Sequence, residues 1–221
     1  MSDLVLYEYW RSSAAYRVRI ALNLKKLPYQ SVPIHLVKDG GEQHKAAFSA
    51  LNANELVPVL VAPAPEGGEM VLNQSLTIID YLDDYYPTPR LTPESGKERY
   101  WVKALAQDIA IDIHPINNLR VIQHLSQQFV MNDDSRQQWM RHWIETGFHA
   151  LEKKLAKVSG SYSVGDDITL VDVCLVPQLY NAERFNVDLT AFPIISAIGA
   201  HLRTHPAFQA AEPERQKDAL V

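Results

Sequence analysis

The sequence predicts a small α/β domain followed by an all-helical domain. In the first third of the chain, apolar residues alternate between short strand-like runs and a helical spacing, in the order βαβαββα. The segment Pro87-Thr88-Pro89 ends this pattern, and the chain after it has helical patterning for most of its length. The 221 residues are enough for one or two domains, and we expect them at residues 1–87 and 88–221.

The α/β domain is predicted to open with two strands and a helix between them. Residues 4–7 form a short apolar run that is typical of a strand. Apolar side chains then recur every four residues over 16–24, which predicts a helix with Ser13 as its N-cap. Residues 29–36 predict a second strand, and the polar stretch 38–45 leads toward a short helix.

A hairpin and a helix complete this domain. Residues 57–61 and 70–72 have the composition of strands, and the loop 63–68 between them is rich in Pro and Gly. Ser75 is the predicted N-cap of the helix that follows. The apolar residues of that helix are Leu76, Ile78, Ile79 and Leu82.

The remaining chain predicts a helical domain. The expected helices span 93–125 with an interruption at His114-Pro115, 135–157, 169–184, and two short segments after Pro193. Thr169 and Asp172 have the spacing of a capping box, in which each side chain satisfies a backbone N–H at the helix start. Cys174 follows in an apolar helix, which favours burial over reactivity.

Composition excludes several classes of function. The formal net charge of −5 argues against a broad nucleic-acid or anionic-membrane surface. The most apolar stretch, 56–65, carries three prolines and is far shorter than a membrane span. A single cysteine cannot form a disulfide framework, which favours a cytoplasmic protein. His201 and His205 lack an evident third ligand, so we expect no metal.

Three short segments have the chemistry of a binding site. Ser12 and Ser13 lie where a strand gives way to a helix, so the turn either holds an anion such as a thiolate or simply caps the helix. Gln74-Ser75 is a second helix start, which suits a carboxylate or is an ordinary cap. Val57-Pro58 precedes a strand, and its peptide bond could be cis beside a binding site. The general frequency of X–Pro bonds nevertheless favours the trans form.

Taken together, these segments resemble the zeta class of glutathione transferases, whose bacterial members include maleylacetoacetate and maleylpyruvate isomerases. The resemblance implies a thioredoxin-like domain with a glutathione site, a helical domain that completes the substrate site, and a homodimer. It covers nearly the whole chain and rests on residues 10–13, 17–25, 57–58, 74–76, 78–82, 112–118, 176–189 and 207–208.

The resemblance also implies roles for individual residues in binding glutathione. Gln74 and Ser75 match the pair that holds the γ-glutamyl carboxylate. Val57 matches the residue whose backbone pairs with the cysteinyl part of glutathione, like an added strand. Gln43 matches a position that contacts the glycyl end. In the helical domain, His114 and Asn118 match active-site positions.

Near the sulfur, the chain departs from the family. Ser12 matches the hydroxyl that hydrogen-bonds the thiolate, with Ser13 in support, but the next position carries Ala14 where the family usually has Cys, Ser or Thr. The resemblance therefore implies a thiolate with one polar neighbour fewer than usual.

The resemblance assigns the substrate carboxylates to arginines. Arg11, beside the catalytic serines, and Arg184 match positions that bind the dicarboxylate in related isomerases. Arg120 matches an arginine of the maleylpyruvate type, or else lies on a solvated helix face. Arg17 and Arg19 are expected to be structural and paired within the small domain.

The reaction implied is the cis–trans isomerisation of maleylacetoacetate to fumarylacetoacetate in tyrosine and phenylalanine catabolism. A thiolate adds to the conjugated double bond, the resulting single bond rotates, and the thiolate leaves. Maleylpyruvate is the second substrate that fits the resemblance. A glutathione transferase or peroxidase acting on haloacids or hydroperoxides is a different enzyme class that the same residues allow. A non-catalytic glutathione-binding or dimerisation module is the third class.

Overall fold

The structure is a computed structural model that describes residues 3–129 and 131–220. The chain divides into two compact units, and each is considered by itself. Unit 1 consists of the described residues of Met1–Leu91 and Pro206–Val221, and unit 2 is Thr92–His205.

Unit 1 is built on a four-stranded mixed sheet with the order β2-β1-β3-β4. Strand β1 pairs with β2 in parallel, whereas β1–β3 and β3–β4 are antiparallel. The strands are β1 Val5–Glu8, β2 Gln30–Pro33, β3 Val59–Pro63 and β4 Glu69–Asn73. The helices between and after them are α1 Ser13–Leu24, α2 Ala46–Ser49 and α3 Ser75–Tyr85. The predicted order βαβαββα is therefore confirmed.

The core of unit 1 is formed by apolar residues at the spacings that the sequence shows. Leu6 of β1 and Leu60 of β3 are fully buried and lie opposite each other in the sheet. Helix α1 packs against α3, and it buries Tyr16 and Ile20 of the predicted four-residue repeat. This packing fixes the first turns of both helices relative to the sheet.

Both predicted N-caps in unit 1 are wrong by one residue. Ser12, not Ser13, caps α1, because Ser12 has extended backbone angles and its Oγ accepts the Ala15 N–H at 3.2 Å. Ser13 is already the first helical residue and is buried. Likewise, Gln74 holds the cap position of α3 with a φ of 68°, and Ser75 is the first helical residue.

The described part of unit 2 consists of helices and their connections, with one isolated β-bridge between Ser159 and Gly165. Its α-helices are α4 Gly96–Gln107, α5 Leu119–Gln128, α6 Asp133–Leu155, α7 Leu170–Arg184 and α8 Pro193–Leu202. The predicted interruption at His114-Pro115 is confirmed, but it begins earlier, because α4 passes into a π-helical segment at Asp108–Ile113. A short 3₁₀ helix, Pro115–Asn117, then leads to α5.

Helix α7 is the centre of unit 2, and Cys174 within it is fully buried, as predicted. The predicted capping box is confirmed at its start, where the Thr169 N–H donates to Asp172 Oδ2 at 2.7 Å. Asp172 also accepts the Ser163 N–H at 2.9 Å. Burial raises the pKa of Asp172, and these hydrogen bonds oppose that shift.

The C-terminal segment belongs to unit 1. Helix α9, Pro206–Ala211, packs against α1, where Asn23 Nδ2 donates to the Ala207 carbonyl at 3.0 Å. Two short 3₁₀ helices, Pro213–Arg215 and Lys217–Leu220, follow it.

Candidate active site

One end of the unit 1 sheet gathers most of the predicted site residues. In the sheet register, Tyr7 of β1 lies opposite Val59, and Val59 lies opposite Asn73 of β4. The chain therefore leaves β1 for Ser12, enters β3 from Val57 and leaves β4 for Gln74 at the same end. Strand β2 runs parallel to β1, so it also ends there, and the loop that carries Gln43 follows it.

The turn before α1 presents the Ser12 hydroxyl. The Ser12 N–H donates to the Tyr9 carbonyl at 2.9 Å, which closes the turn. Since Ser12 Oγ accepts the Ala15 N–H at 3.2 Å, the hydroxyl proton is left to donate outward. Capping and anion binding are thus compatible at this residue. The positive end of the α1 dipole lies at the same point and favours a negative charge.

Arg11 and Ser13 flank this hydroxyl differently. Arg11 is half-exposed, and its guanidinium stacks over the Trp10 ring, with 4.9 Å from Cζ to the ring centroid. Such a contact orients the side chain while its N–H donors stay in the plane of the guanidinium. Ser13 is buried, so it is placed to support the turn.

The start of α3 carries a buried cation beneath it. Arg17 of α1 is 2% exposed, and its Nη1 donates to Ser75 Oγ at 3.2 Å. With the Ser75 oxygen accepting this bond, the Ser75 hydroxyl proton is directed elsewhere. Gln74 beside it is exposed. A hydroxyl, the first amides of α3 and a buried positive charge make this helix start suitable for a carboxylate.

Val57 offers its backbone rather than its side chain. The Val57–Pro58 bond is cis, as the family resemblance implies and against the expectation from general frequency. None of the backbone–backbone hydrogen bonds found among residues 3–129 and 131–220 uses the N–H or C=O of Val57. An extended peptide could therefore pair with both groups.

Gln43 lies in a tight loop and is 7% exposed. Its Nε2 donates to the Leu36 carbonyl at 3.3 Å and to His44 Nε2 at 2.9 Å. Because His44 Nε2 accepts this bond, the ring proton of His44 lies on Nδ1, which donates to Glu55 at 2.6 Å. Gln43 Oε1 is buried and has no hydrogen-bond partner within the described chain. This oxygen is an acceptor that a ligand N–H would satisfy.

Gly41 makes room for that side chain. Its φ is +101°, and a Cβ built on it would lie 2.5 Å from Gln43 Nε2. Next to it, the Glu42 carboxylate accepts the His35 N–H at 2.8 Å and pairs with Lys45 at 3.2 Å. These two bonds lower the pKa of Glu42, the His35 bond most strongly, so the loop is held by an ionised carboxylate at neutral pH.

The other predicted residues lie in unit 2. Asn118 caps α5 by accepting the Arg120 N–H at 3.2 Å, and Arg120 itself is exposed. His114 is half-buried between the π-helical and 3₁₀ segments. Arg184 ends α7, where it is exposed and stacks over Phe185 with 5.0 Å from Cζ to the ring centroid. Arg120 and Arg184 therefore both present their guanidinium groups at the surface of unit 2.

The sequence analysis assigned no binding role to Arg17. Arg19 is indeed paired with Glu8, at 2.6 Å, as expected for a buried structural arginine. Arg17 instead reaches the start of α3. The sequence did contain an indication of this role of Arg17. A second arginine lies on the apolar side of α1, and a buried arginine needs a polar partner.

No group of three or more His, Cys, Asp or Glu side chains able to hold a metal occurs in the part of the chain that the structure describes. In the same residues, no helix combines the length and apolar character needed to cross a membrane.

Sequence comparison identifies relatives across the whole chain. Residues 6–90 match the family model described as glutathione S-transferase, N-terminal domain. A Vibrio cholerae protein named probable maleylacetoacetate isomerase is 58% identical and aligns with 99% of this chain and 100% of its own length. A maleylpyruvate isomerase from a Ralstonia species is 45% identical, and the alignment covers 97% of this chain and 99% of that protein.

Comparison with solved structures gives the same picture. A holo maleylpyruvate isomerase, described as a bacterial glutathione S-transferase of the zeta class, superposes with a TM-score of 0.89 at 44% identity, covering 97% of this chain and 99% of that one. A maleylacetoacetate isomerase from Anaeromyxobacter dehalogenans, with glutathione in its active site, gives 0.87 at 38% identity and 98% coverage of both chains.

Proposed function

We propose that this chain, which belongs to the zeta class of the glutathione S-transferase family, is a glutathione-dependent isomerase that converts maleylacetoacetate to fumarylacetoacetate. The observation that carries the proposal is the arrangement at one end of the unit 1 sheet. A serine-capped helix start, a backbone N–H and C=O at Val57 that form no backbone–backbone hydrogen bond in the described structure, and an arginine-backed helix start lie there together. In that order, these features are suited to bind a thiol, a peptide backbone and a carboxylate.

The residues present fit glutathione. Ser75 and the first amides of α3 would hold the γ-glutamyl carboxylate, with Gln74 beside them, and Arg17 would add a buried positive charge behind the hydroxyl. Val57 would pair with the cysteinyl peptide group through its N–H and C=O. Gln43 Oε1, buried without a partner in the described structure, would accept the glycyl N–H.

Ser12 would stabilise the sulfur as a thiolate. Its hydroxyl proton remains available while Oγ caps α1, and the helix dipole adds positive potential at the same place. A hydrogen bond to a charged group contributes about 1.5–3 kcal/mol. Ala14 supplies no second hydroxyl here, so activation depends on Ser12, with Ser13 supporting the turn.

When bound, glutathione supplies a thiolate that adds reversibly to a conjugated double bond and so permits its rotation. The protein has to hold the substrate carboxylates and stabilise the negative charge that develops on the substrate during addition. On the family resemblance of these positions, we assign these roles to Arg11 and Arg184, with His114 and Asn118 in support. Arginine suits them because its guanidinium binds a carboxylate through two parallel hydrogen bonds.

The experiment that tests the function compares three conditions. The loss of maleylacetoacetate absorbance is followed with glutathione, with S-methylglutathione and with no thiol. We expect turnover with glutathione alone, because the methylated thiol occupies the site without a nucleophile. Equal rates in all three conditions would refute the proposal.

Maleylpyruvate is a second candidate substrate. Arg120 favours it, because this residue matches an arginine of the maleylpyruvate type and its guanidinium is exposed at the second residue of α5, where it could bind a carboxylate. The ratio of kcat/KM values for the two substrates decides between them. If Arg120 serves maleylpyruvate, Arg120→Ala lowers kcat/KM for that substrate selectively.

We further propose that the protein is a cytoplasmic homodimer. Tyr100 and Trp101 on α4 are 71% and 41% exposed, which is unusual for large aromatic side chains and suits an interface. Sedimentation velocity checks this assignment: we expect the mass of two chains for the wild type and of one chain for Trp101→Glu.

A further inference from the structure

We propose that Asp218 in the C-terminal segment is a positioning residue for the serine turn of the active site. It holds Trp10 in place, and through Trp10 it sets the positions of Arg11 and Ser12. The inference rests on the function proposed above, since it gives Ser12 the role of binding the thiolate.

The first contact joins the two ends of the chain. The Trp10 N–H donates to Asp218 Oδ2 at 3.0 Å, and the two residues are 208 positions apart. Both residues are half-buried. A charge-assisted hydrogen bond of this kind is stronger than one between neutral groups, so it can fix the position of the Trp10 backbone.

The second contact holds the carbonyl of the same residue. The Trp10 C=O accepts a hydrogen bond from Arg19 Nη2 at 2.9 Å. Arg19 is fully buried, and its position is fixed by Glu8 at 2.6 Å and by the Ala211 carbonyl at 3.0 Å. Residues of the C-terminal segment therefore contribute to the restraint on both the N–H and the C=O of Trp10.

This restraint is passed directly to the catalytic residues. The Ser12 N–H closes the turn on the Tyr9 carbonyl at 2.9 Å, so Trp10 and Arg11 form the middle of that turn. The Trp10 ring also stacks on the Arg11 guanidinium. A shift of Trp10 would move the Ser12 hydroxyl and the Arg11 cation together, and a misplacement of about 1 Å can cost a factor of about 100 in rate.

The test compares three variants. Asp218→Ala removes the acceptor, whereas Asp218→Asn keeps an oxygen that can accept the Trp10 N–H. Gln216→Ala is the matched control for the same segment, because Gln216 donates to the carbonyls of Ala210 and Glu212 and not to Trp10. Each variant is measured for kcat, KM for glutathione, Tm, and hydrogen exchange of the Trp10 and Ser12 amides.

For Asp218→Ala we expect kcat to fall about tenfold or more, with KM for glutathione within about twofold, because the Val57 and Ser75 contacts are untouched. Asp218→Asn restores most of kcat, and Gln216→Ala keeps kcat even if it lowers Tm. A kcat that is unchanged in Asp218→Ala, or that falls equally in Gln216→Ala, would overturn the proposal.

Hydrogen exchange separates this inference from the proposed function, because it needs neither substrate nor glutathione. We expect faster exchange at the Trp10 and Ser12 amides in Asp218→Ala than in Asp218→Asn. Unchanged exchange would refute the positioning role even if the enzyme is an isomerase. A wild-type protein that shows no isomerisation, but in which these amides respond as expected, would refute the function alone.

Discussion

At the scale of single residues, Ser12 illustrates how one hydroxyl can serve folding and chemistry together. Its oxygen caps α1 through the Ala15 N–H, and its proton remains to donate to an anion. The sequence predicted the cap at Ser13, one residue too late, because two successive serines look alike until the backbone angles are known. Only the residue with extended angles can be the cap, and that residue is Ser12.

Replacing Ser12 separates its two roles. We expect Ser12→Ala to lower kcat by about 10- to 100-fold, because the thiolate loses a charged hydrogen bond. The free energy of unfolding should fall by only about 1 kcal/mol, the usual cost of a lost cap. Steady-state kinetics and chemical denaturation on the same preparation measure both. An unchanged kcat would remove Ser12 from the mechanism.

Arg184 is predicted to act on substrate binding. Arg184→Ala should raise KM for the dicarboxylate about tenfold or more, since a bidentate pair with a carboxylate is lost, while KM for glutathione stays constant. Arg184→Lys should recover part of the affinity. A normal KM for the substrate in Arg184→Ala would contradict the assignment.

At the scale of elements, the order of strands and helices was predictable and the contacts between their ends were not. Local apolar spacing predicted βαβαββα, because each element buries one face. The contacts that join two helix starts are instead distant in the chain, since Arg17 on α1 meets Ser75 on α3 across 58 positions. Position in the sequence does not reveal which buried arginine supports a site and which, like Arg19, pairs with a carboxylate.

The link between α1 and α3 predicts a coupled effect on glutathione binding. Arg17→Met should weaken glutathione binding about tenfold, because Ser75 loses its charged donor. In a Ser75→Ala background the same change should add little, since the two residues act as one unit. Isothermal titration of the four proteins measures the coupling.

Asn23→Ala is the control for that cycle, since it removes a side-chain bond from the same helix to Ala207 without touching Ser75. It should bind glutathione normally. Strictly additive effects of Arg17→Met and Ser75→Ala would contradict the coupling.

The capping box of α7 predicts a change in stability without a change in chemistry. Asp172→Ala leaves the buried N–H groups of Thr169 and Ser163 without their acceptor, at a cost of about 3 kcal/mol. Tm should fall by roughly 6–12 °C. Asp188→Ala, which removes the cap of an exposed 3₁₀ turn, should lower Tm much less. Equal losses in the two variants would show that burial of the Asp172 network contributes nothing.

At the scale of the whole molecule, anion binding depends on local devices rather than on overall charge. A chain with a net charge of −5 has no general attraction for a dicarboxylate or for glutathione. In the proposed site, two helix starts and a few arginines would supply the positive potential instead. The sequence suggested these devices, but the sheet order that brings Ser12, Val57 and Gln74 to one end follows only from the pairing of distant strands.

The return of the C-terminal segment to unit 1 is another feature that local patterns do not contain. Helix α9 is short and resembles the helices before it in composition, yet it packs on α1. In α9 the carbonyls of Ala207 and Ala211 accept hydrogen bonds from the Asn23 and Arg19 side chains. Further along the segment, the Asp218 carboxylate accepts the Trp10 N–H. Such contacts leave no periodic signal in a sequence.

The central claim is that glutathione acts as a catalyst and is returned unchanged. The most direct measurement mixes enzyme with maleylacetoacetate in large excess over glutathione and follows both compounds by NMR. We expect complete conversion to the trans isomer while glutathione remains unmodified. Conversion that stops after one equivalent, with a stable glutathione conjugate accumulating, would contradict it and identify a transferase instead.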